Sequence, residues 1–165
     1  YKEIAGLSTE NAFRYILQKN QQNNFENISS LSAKKRKAAL TLAENELNLL
    51  PGFLSFFNYA KQHYASGIVS SGSKNSVYSG LSKFKILESF EHIICNEHVK
   101  NSKPSPEGFL LCIKKFEFFT KSEVLVFEDS FSGFQAAESA GLDFVDINKF
   151  GWPKLEKILR LHNEK

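Results

Sequence analysis

Residues 124–142 read VLVFEDSFSGFQAAESAGL. The apolar run from Val124 to Phe127 has the length and composition of a buried strand. Glu128 and Asp129 follow at its end, then Ser130, then an alanine-rich stretch. That stretch predicts a helix over 131–140, closed by Gly141 at its C-terminal cap. A strand that feeds directly into a helix is the building unit of a parallel α/β sheet. The two adjacent acids are costly there, because like charges repel and each resists losing water. A divalent cation held by both is the simplest compensation. The plainer alternative is that they serve only the N-terminus of the following helix.

The same alternation extends outward on both sides. Toward the N-terminus, HIIC (92–95) reads as a strand. Ser105 and Pro106 stand at the N-cap and first turn of a helix whose face carries Phe109, Ile113 and Phe116. Before it, SGIVSSGSKN (66–75) is a short β-branched run ending in small polar residues, followed by a helix over 75–84. A further helix over 53–63 precedes that run. Toward the C-terminus, FVDI (144–147) is the last strand and 152–162 a terminal helix, with Trp152 as packing. Residues 51–165 therefore predict a Rossmann-like parallel sheet covered by helices on both faces. Residues 1–50 contain no strand pattern. Ser8 is an N-cap there, Ala12, Phe13, Ile16 and Leu17 share one stripe, and Leu40, Ala43, Leu47 and Leu50 continue at helical spacing. This part predicts a separate helical lobe.

Composition narrows the function classes. The 165 residues are 42% apolar, enough for a real core, and 16 phenylalanines supply much of it. A net charge of +3 suits anionic small molecules but falls short of a nucleic-acid signature, and the basic run AKKRK (33–37) reads as a solvated helix face. No apolar stretch reaches membrane-spanning length. Cys95 and Cys112 lack metal-ligand spacing and suit buried thiols in a reducing cytoplasm. His63, His92, His98 and His162 have no acid or cysteine at ligand spacing and read as structural. The sequence opens on Tyr1 and holds no methionine, so a processed or shortened chain is expected.

In open α/β sheets ligands bind beyond the carboxyl ends of the strands. Here those ends carry Ser71, Gly72 and Ser73 after the first strand, Lys103 shortly after the second, and Glu128 and Asp129 after the third. A hydroxyl with nearby backbone N–H groups, an ammonium and paired carboxylates suit phosphoryl transfer, in which placement and charge neutralisation dominate. The set lacks a nucleophile. A phosphoacceptor receiver domain uses similar groups but places its acids early and its lysine late, the reverse of this order.

VSSGSKN (69–75), KNSKPSPEGF (100–109) and VLVFEDSFSGFQAAESAGL together resemble motifs II, III and IV of the haloacid dehalogenase-like hydrolases. Their order and spacing are similar to the β-phosphoglucomutase-like branch, and AGLSTENAFRYIL (5–17) and LLPGF (49–53) look like the opening and return of its helical cap. The resemblance implies a partial cap over 1–50 and an α/β hydrolase core over 51–165. It gives Ser71 the role of binding the transferring phosphoryl group. Gly72, Ser73, Lys74 and Asn75 extend the phosphate-binding turn, Lys103 balances charge, and Glu128 and Asp129 hold Mg2+. Ser130 and Gly133 shape the turn. Gly6 to Thr9 lie over the active site; some mutases of this type carry an arginine where Thr9 stands, which favours phosphatase over mutase. The implied partner is a small phosphorylated metabolite, with neither nucleic acid nor membrane.

One departure is large. The family's motif I, a DxDGT-like strand whose first aspartate attacks phosphorus, is missing: Asp129, Asp143 and Asp146 are the only aspartates. The resemblance therefore implies that this chain alone does not run the chemistry, and that the sheet lacks its central strand. Either the strand belongs to the full protein outside this sequence, or a separate segment or another copy of the chain supplies it, or the chain is truly truncated and has collapsed the gap. In the last case a catalytically silent binding module is the expectation.

Overall fold

The computed structural model describes residues 3–163 apart from Ala5, Asn23, Asn24, Glu26 and Phe118, and without the side chains of 40, 43–45 and 161–163. Two helices come first, α1 (Thr9–Lys19) and α2 (Ile28–Glu46). The Ser8 hydroxyl accepts from the Asn11 N–H and caps α1, as its sequence position predicts. The rest alternates: α3 (Phe53–His63), β1 (Gly67–Val69), α4 (Lys74–Lys83), β2 (His92–Ile94), α5 (Glu107–Lys115), β3 (Leu125–Glu128), α6 (Phe131–Ala140), β4 (Asp143–Asp146), α7 (Ile147–Phe150) and α8 (Trp152–Asn163). The fold is α/β and Rossmann-like, with parallel strands, as expected.

Two of the local departures from the sequence reading have a plain physical cause. The helical spacing of Leu40, Ala43, Leu47 and Leu50 suggests one continuous helix, yet α2 ends at Glu46 and Leu47 is extended. Pro51 accounts for part of this, since it drives Leu50 out of the helical region. Asn48 adds to it by bonding the Glu46 carbonyl at 3.0 Å. Cys95 falls just outside β2 and instead opens a tight turn in which its N–H donates to His98 Nδ1 at 2.9 Å.

The sheet is divided. Among the described residues β1 pairs only with β2, in register Gly67–His92 to Val69–Ile94, and β3 only with β4, from Leu125–Asp143 to Glu128–Asp146. Alternate residues of β3 serve two apolar layers, as the pleat requires. Val126 packs with Phe109 of α5 and Ala136, Ala137 and Ala140 of α6. Phe127 and Val145 pack with Phe56 and Ala60 of α3 and Leu155 of α8. Trp152 belongs to this second layer, 4.8 Å from Phe56 and 5.9 Å from Phe127 between ring centres. Between the two half-sheets lies a cavity of about 870 Å³.

Candidate active site

A buried ion pair joins the loop between β2 and α5 to the carboxyl end of β3. Lys103 Nζ lies 2.5 Å from Glu128 Oε2, and both residues are buried. Lys103 comes from the loop before α5 and its ammonium also sits 4.9 Å from the centre of the Phe109 ring. Glu128 is the last residue of β3, and its other oxygen is equally engaged. Oε1 accepts from the Ser130 hydroxyl at 2.7 Å, the Ser130 N–H at 3.0 Å and the Asp129 N–H at 3.1 Å. Burial would raise the Glu128 pKa, but the Lys103 charge and these hydrogen bonds prevail and hold it below its ordinary value.

Ser130 links this carboxylate to α6. Its hydroxyl also accepts from the Gly133 N–H at 3.1 Å and so caps the helix. Gly133 has to be a glycine here: a Cβ would stand 2.0 Å from Glu128 Cδ. The first turn of α6 therefore rests directly on the acid. Both small residues of the motif act on the position of Glu128.

Asp129 differs from its neighbour. It is exposed, and its pKa is raised, first by desolvation and then by the adjacent Glu128. Its carbonyl accepts from Asn148 Nδ2 at 2.7 Å, which ties the turn to α7. Nothing in the sequence pattern marks Asn148 for this.

Ser71 and Lys103 line the same small cleft with Ser70, Ser105 and Gly108. The Ser71 hydroxyl is buried without a hydrogen-bond partner, whereas Ser70 Oγ accepts from the Gly72 N–H at 3.0 Å. A buried orphan hydroxyl is uncommon in native proteins and calls for a partner. The other residues expected around phosphate are distributed differently. Ser73 Oγ caps α4 by accepting from the Ser76 N–H at 3.4 Å, and the Lys74 N–H donates to Glu97 at 2.8 Å. The Lys74 ammonium lies over the Tyr78 ring, and Asn75 is exposed. Ser71, Lys103, Glu128 and Asp129 thus form one continuous group; Ser73 and Lys74 already have local duties in α4.

The N-terminal helices reach this group. Asn11 Nδ2 bonds Ser102 Oγ at 3.2 Å, next to Lys103. Lys35 of α2 bonds the Thr9 hydroxyl at 3.2 Å. Gly6, at φ +78°, packs so closely on the acid turn that a Cβ would lie 2.2 Å from Ser132 Oγ and 2.3 Å from Ser130 Oγ.

Two carboxylates at the mouth of the group suit a hard cation such as Mg2+, which takes one or two protein carboxylates and completes its shell with water and substrate oxygen. Exposed Asp129 fits as the direct donor, and a bound cation would relieve the repulsion that raises its pKa. Glu128, with both oxygens already bonded, fits as its support. Among the described residues no group of three or more His, Cys, Asp or Glu side chains gathers as a metal cluster. No helix among them is long and apolar enough to cross a membrane.

The haloacid dehalogenase-like hydrolase family matches residues 1–147. A fructose-1-phosphate phosphatase of Escherichia coli is 35% identical over 80 residues, covering 48% of this chain and 42% of that protein. A phosphorylated-carbohydrates phosphatase of Thermotoga maritima is 31% identical over 111 residues, covering 67% of this chain and 49% of its own length. The chain thus spans about half the length of these curated relatives. In three dimensions a β-phosphoglucomutase of Clostridium difficile matches with a TM-score of 0.78 at 21% identity, covering 99% of this chain and 82% of its own. At that identity the likeness concerns the fold.

Proposed function

The chain belongs to the haloacid dehalogenase-like hydrolases, and from that premise we propose that it forms the phosphate- and Mg2+-binding part of a phosphatase for small phosphate esters. The carrying observation is the Ser71 hydroxyl, buried and unpartnered beside the Lys103–Glu128 pair. In this reading Ser71 donates to a phosphoryl oxygen. Lys103, fixed by Glu128, presents positive charge to the same group as charge builds on phosphorus. Asp129, with Glu128 behind it, would hold Mg2+; when bound, the ion neutralises charge on the phosphoryl oxygens. Residues 1–50 act as the cap that selects the ester, with Thr9 and Asn11 at its lower rim. The relatives' names favour carbohydrate phosphates as the ester class.

The sequence has three aspartates and no DxD pair, so the nucleophile of this reading comes from outside these 165 residues. That makes phosphate binding, rather than turnover, the activity expected of the chain by itself. Titration with orthophosphate in the presence of Mg2+ tests it. Saturable binding that weakens at least tenfold in Ser71→Ala and in Asp129→Asn supports the assignment. Equal binding by all three proteins would remove it. Hydrolysis of p-nitrophenyl phosphate, followed in parallel, separates a working phosphatase from a silent binding module.

A further inference from the structure

The turn after β1 is tied at alternate residues to β2 and the segment that follows it. The Ser70 N–H donates to the Ile94 carbonyl at 2.8 Å, and the Gly72 carbonyl accepts from the Asn96 N–H at 3.0 Å. The third tie is a side chain: Glu97 Oε2 accepts from the Lys74 N–H at 2.8 Å. Ser71 stands between the first two ties. Its hydroxyl is buried without a partner, and the residue lines one cleft with Lys103.

The segment that supplies Glu97 is itself fixed. Cys95 is fully buried, its N–H donates to His98 Nδ1 at 2.9 Å, and its carbonyl accepts from the His98 N–H at 3.0 Å. Asn96 and Glu97 lie inside this closed turn, and both reach the turn that carries Ser71. A carboxylate at the first turn of a helix is favourable by itself, because it meets unpaired N–H groups and the positive end of the helix dipole. That role alone asks nothing of Ser71. Lys74, however, opens α4 directly after the Ser71 turn, so the Glu97 bond also fixes where that turn ends. As a charge, Glu97 opposes an incoming phosphate. Placement and repulsion thus have opposite signs and can be separated.

We propose that Glu97 is a positioning residue for phosphate binding: its carboxylate, presented by the Cys95–His98 turn, fixes the start of α4 and so holds the Ser71 hydroxyl where it meets a phosphoryl oxygen. The inference rests on the phosphate reading of Ser71 and adds a residue that acts only through that serine's turn. A donor in such a site has to be held within about 0.5 Å of its working place. Of the three ties, the Glu97 bond is the charge-assisted one and hence the strongest.

Orthophosphate titration of the full chain in the presence of Mg2+ distinguishes placement from charge. Glu97→Gln keeps an oxygen that accepts from Lys74 and removes the negative charge; Glu97→Ala removes both. Glu97→Gln should bind orthophosphate at least as tightly as the wild type, and Glu97→Ala about fivefold or more weakly. The Lys74 amide should exchange faster in Glu97→Ala and near the wild-type rate in Glu97→Gln. Glu97 is exposed, so both variants should stay folded, which urea titration checks alongside. Equal weakening in the two variants would mean that charge, not placement, matters. Unchanged or tighter binding by Glu97→Ala would leave Glu97 a helix cap or a source of repulsion. Either result overturns the proposal, as does a Lys74 amide that keeps its wild-type exchange rate in Glu97→Ala. Ser71→Ala, measured in parallel, tells two failures apart. Wild-type affinity in that variant removes the phosphate site and this inference with it. Weaker binding by Ser71→Ala beside wild-type binding by Glu97→Ala overturns the positioning role alone.

Discussion

At the scale of single residues the Lys103–Glu128 pair governs the site. Its charges are buried, so the cost of dehydrating them is offset only while both are present. Lys103→Met should lower unfolding stability by about 3–5 kcal/mol, and the double change Lys103→Met with Glu128→Gln should recover most of the loss; urea titration of the three proteins measures both. The pH dependence has a definite sign. Glu128 is held below its ordinary pKa, so its contribution is complete above the unfolded carboxylate range and is lost as pH falls through the depressed value. The double variant should therefore have a shallower acid limb than the wild type. Ser71 behaves oppositely. Its hydroxyl has no partner to lose, so Ser71→Ala should keep or raise stability, by up to about 1 kcal/mol, while weakening orthophosphate binding. A clear loss of stability in that variant would show that the hydroxyl is already satisfied.

Among the elements, α6 and α5 show what local pattern can and cannot convey. The helix over 131–140 was legible to the residue, because Ser130 and Gly141 are residue types selected by cap geometry. The strand before it was legible with a shift of one position, since an apolar run marks a strand's existence better than its ends. The Lys103–Glu128 bond was not legible as such: 25 residues separate its partners, and no periodicity encodes a contact between a loop and a distant strand end. The α2 end was misread because the leucine spacing continued while Pro51 and Asn48 already opposed the helix. In α5, Cys112 yields a prediction that follows from burial. Desolvation pushes its thiol up from 9.0 to about 11. A pKa raised on folding gives stability that is complete below the unfolded value and is lost as pH climbs through the folded one. Between pH 9 and 11 the wild type should lose about 2 kcal/mol that Cys112→Val does not lose. Urea titrations at both pH values compare the two slopes, and parallel losses would mean that the thiol is not desolvated in solution.

For the whole molecule, the question is how the N-terminal helices register on the α/β body. The proposed site rests on three short motifs, each of which follows the end of a strand. The attachment of the helices was not legible in the sequence, because it depends on a backbone approach that any small residue could have suggested. Gly6 makes that approach. Its positive φ disfavours a side chain by roughly 1–2 kcal/mol. The added Cβ of Gly6→Ala would also press on the hydroxyl of Ser132 and on that of Ser130, which bonds Glu128. One substitution should thus disturb both halves at once: α1 and the first turn of α6 should exchange amides faster, while β2 and the C-terminal part of α5, remote from the contact, keep wild-type rates. Orthophosphate binding should weaken in the same variant, because Ser130 positions Glu128 and through it Lys103. Faster exchange confined to α1 would show instead that the helices rest on the body without controlling its site.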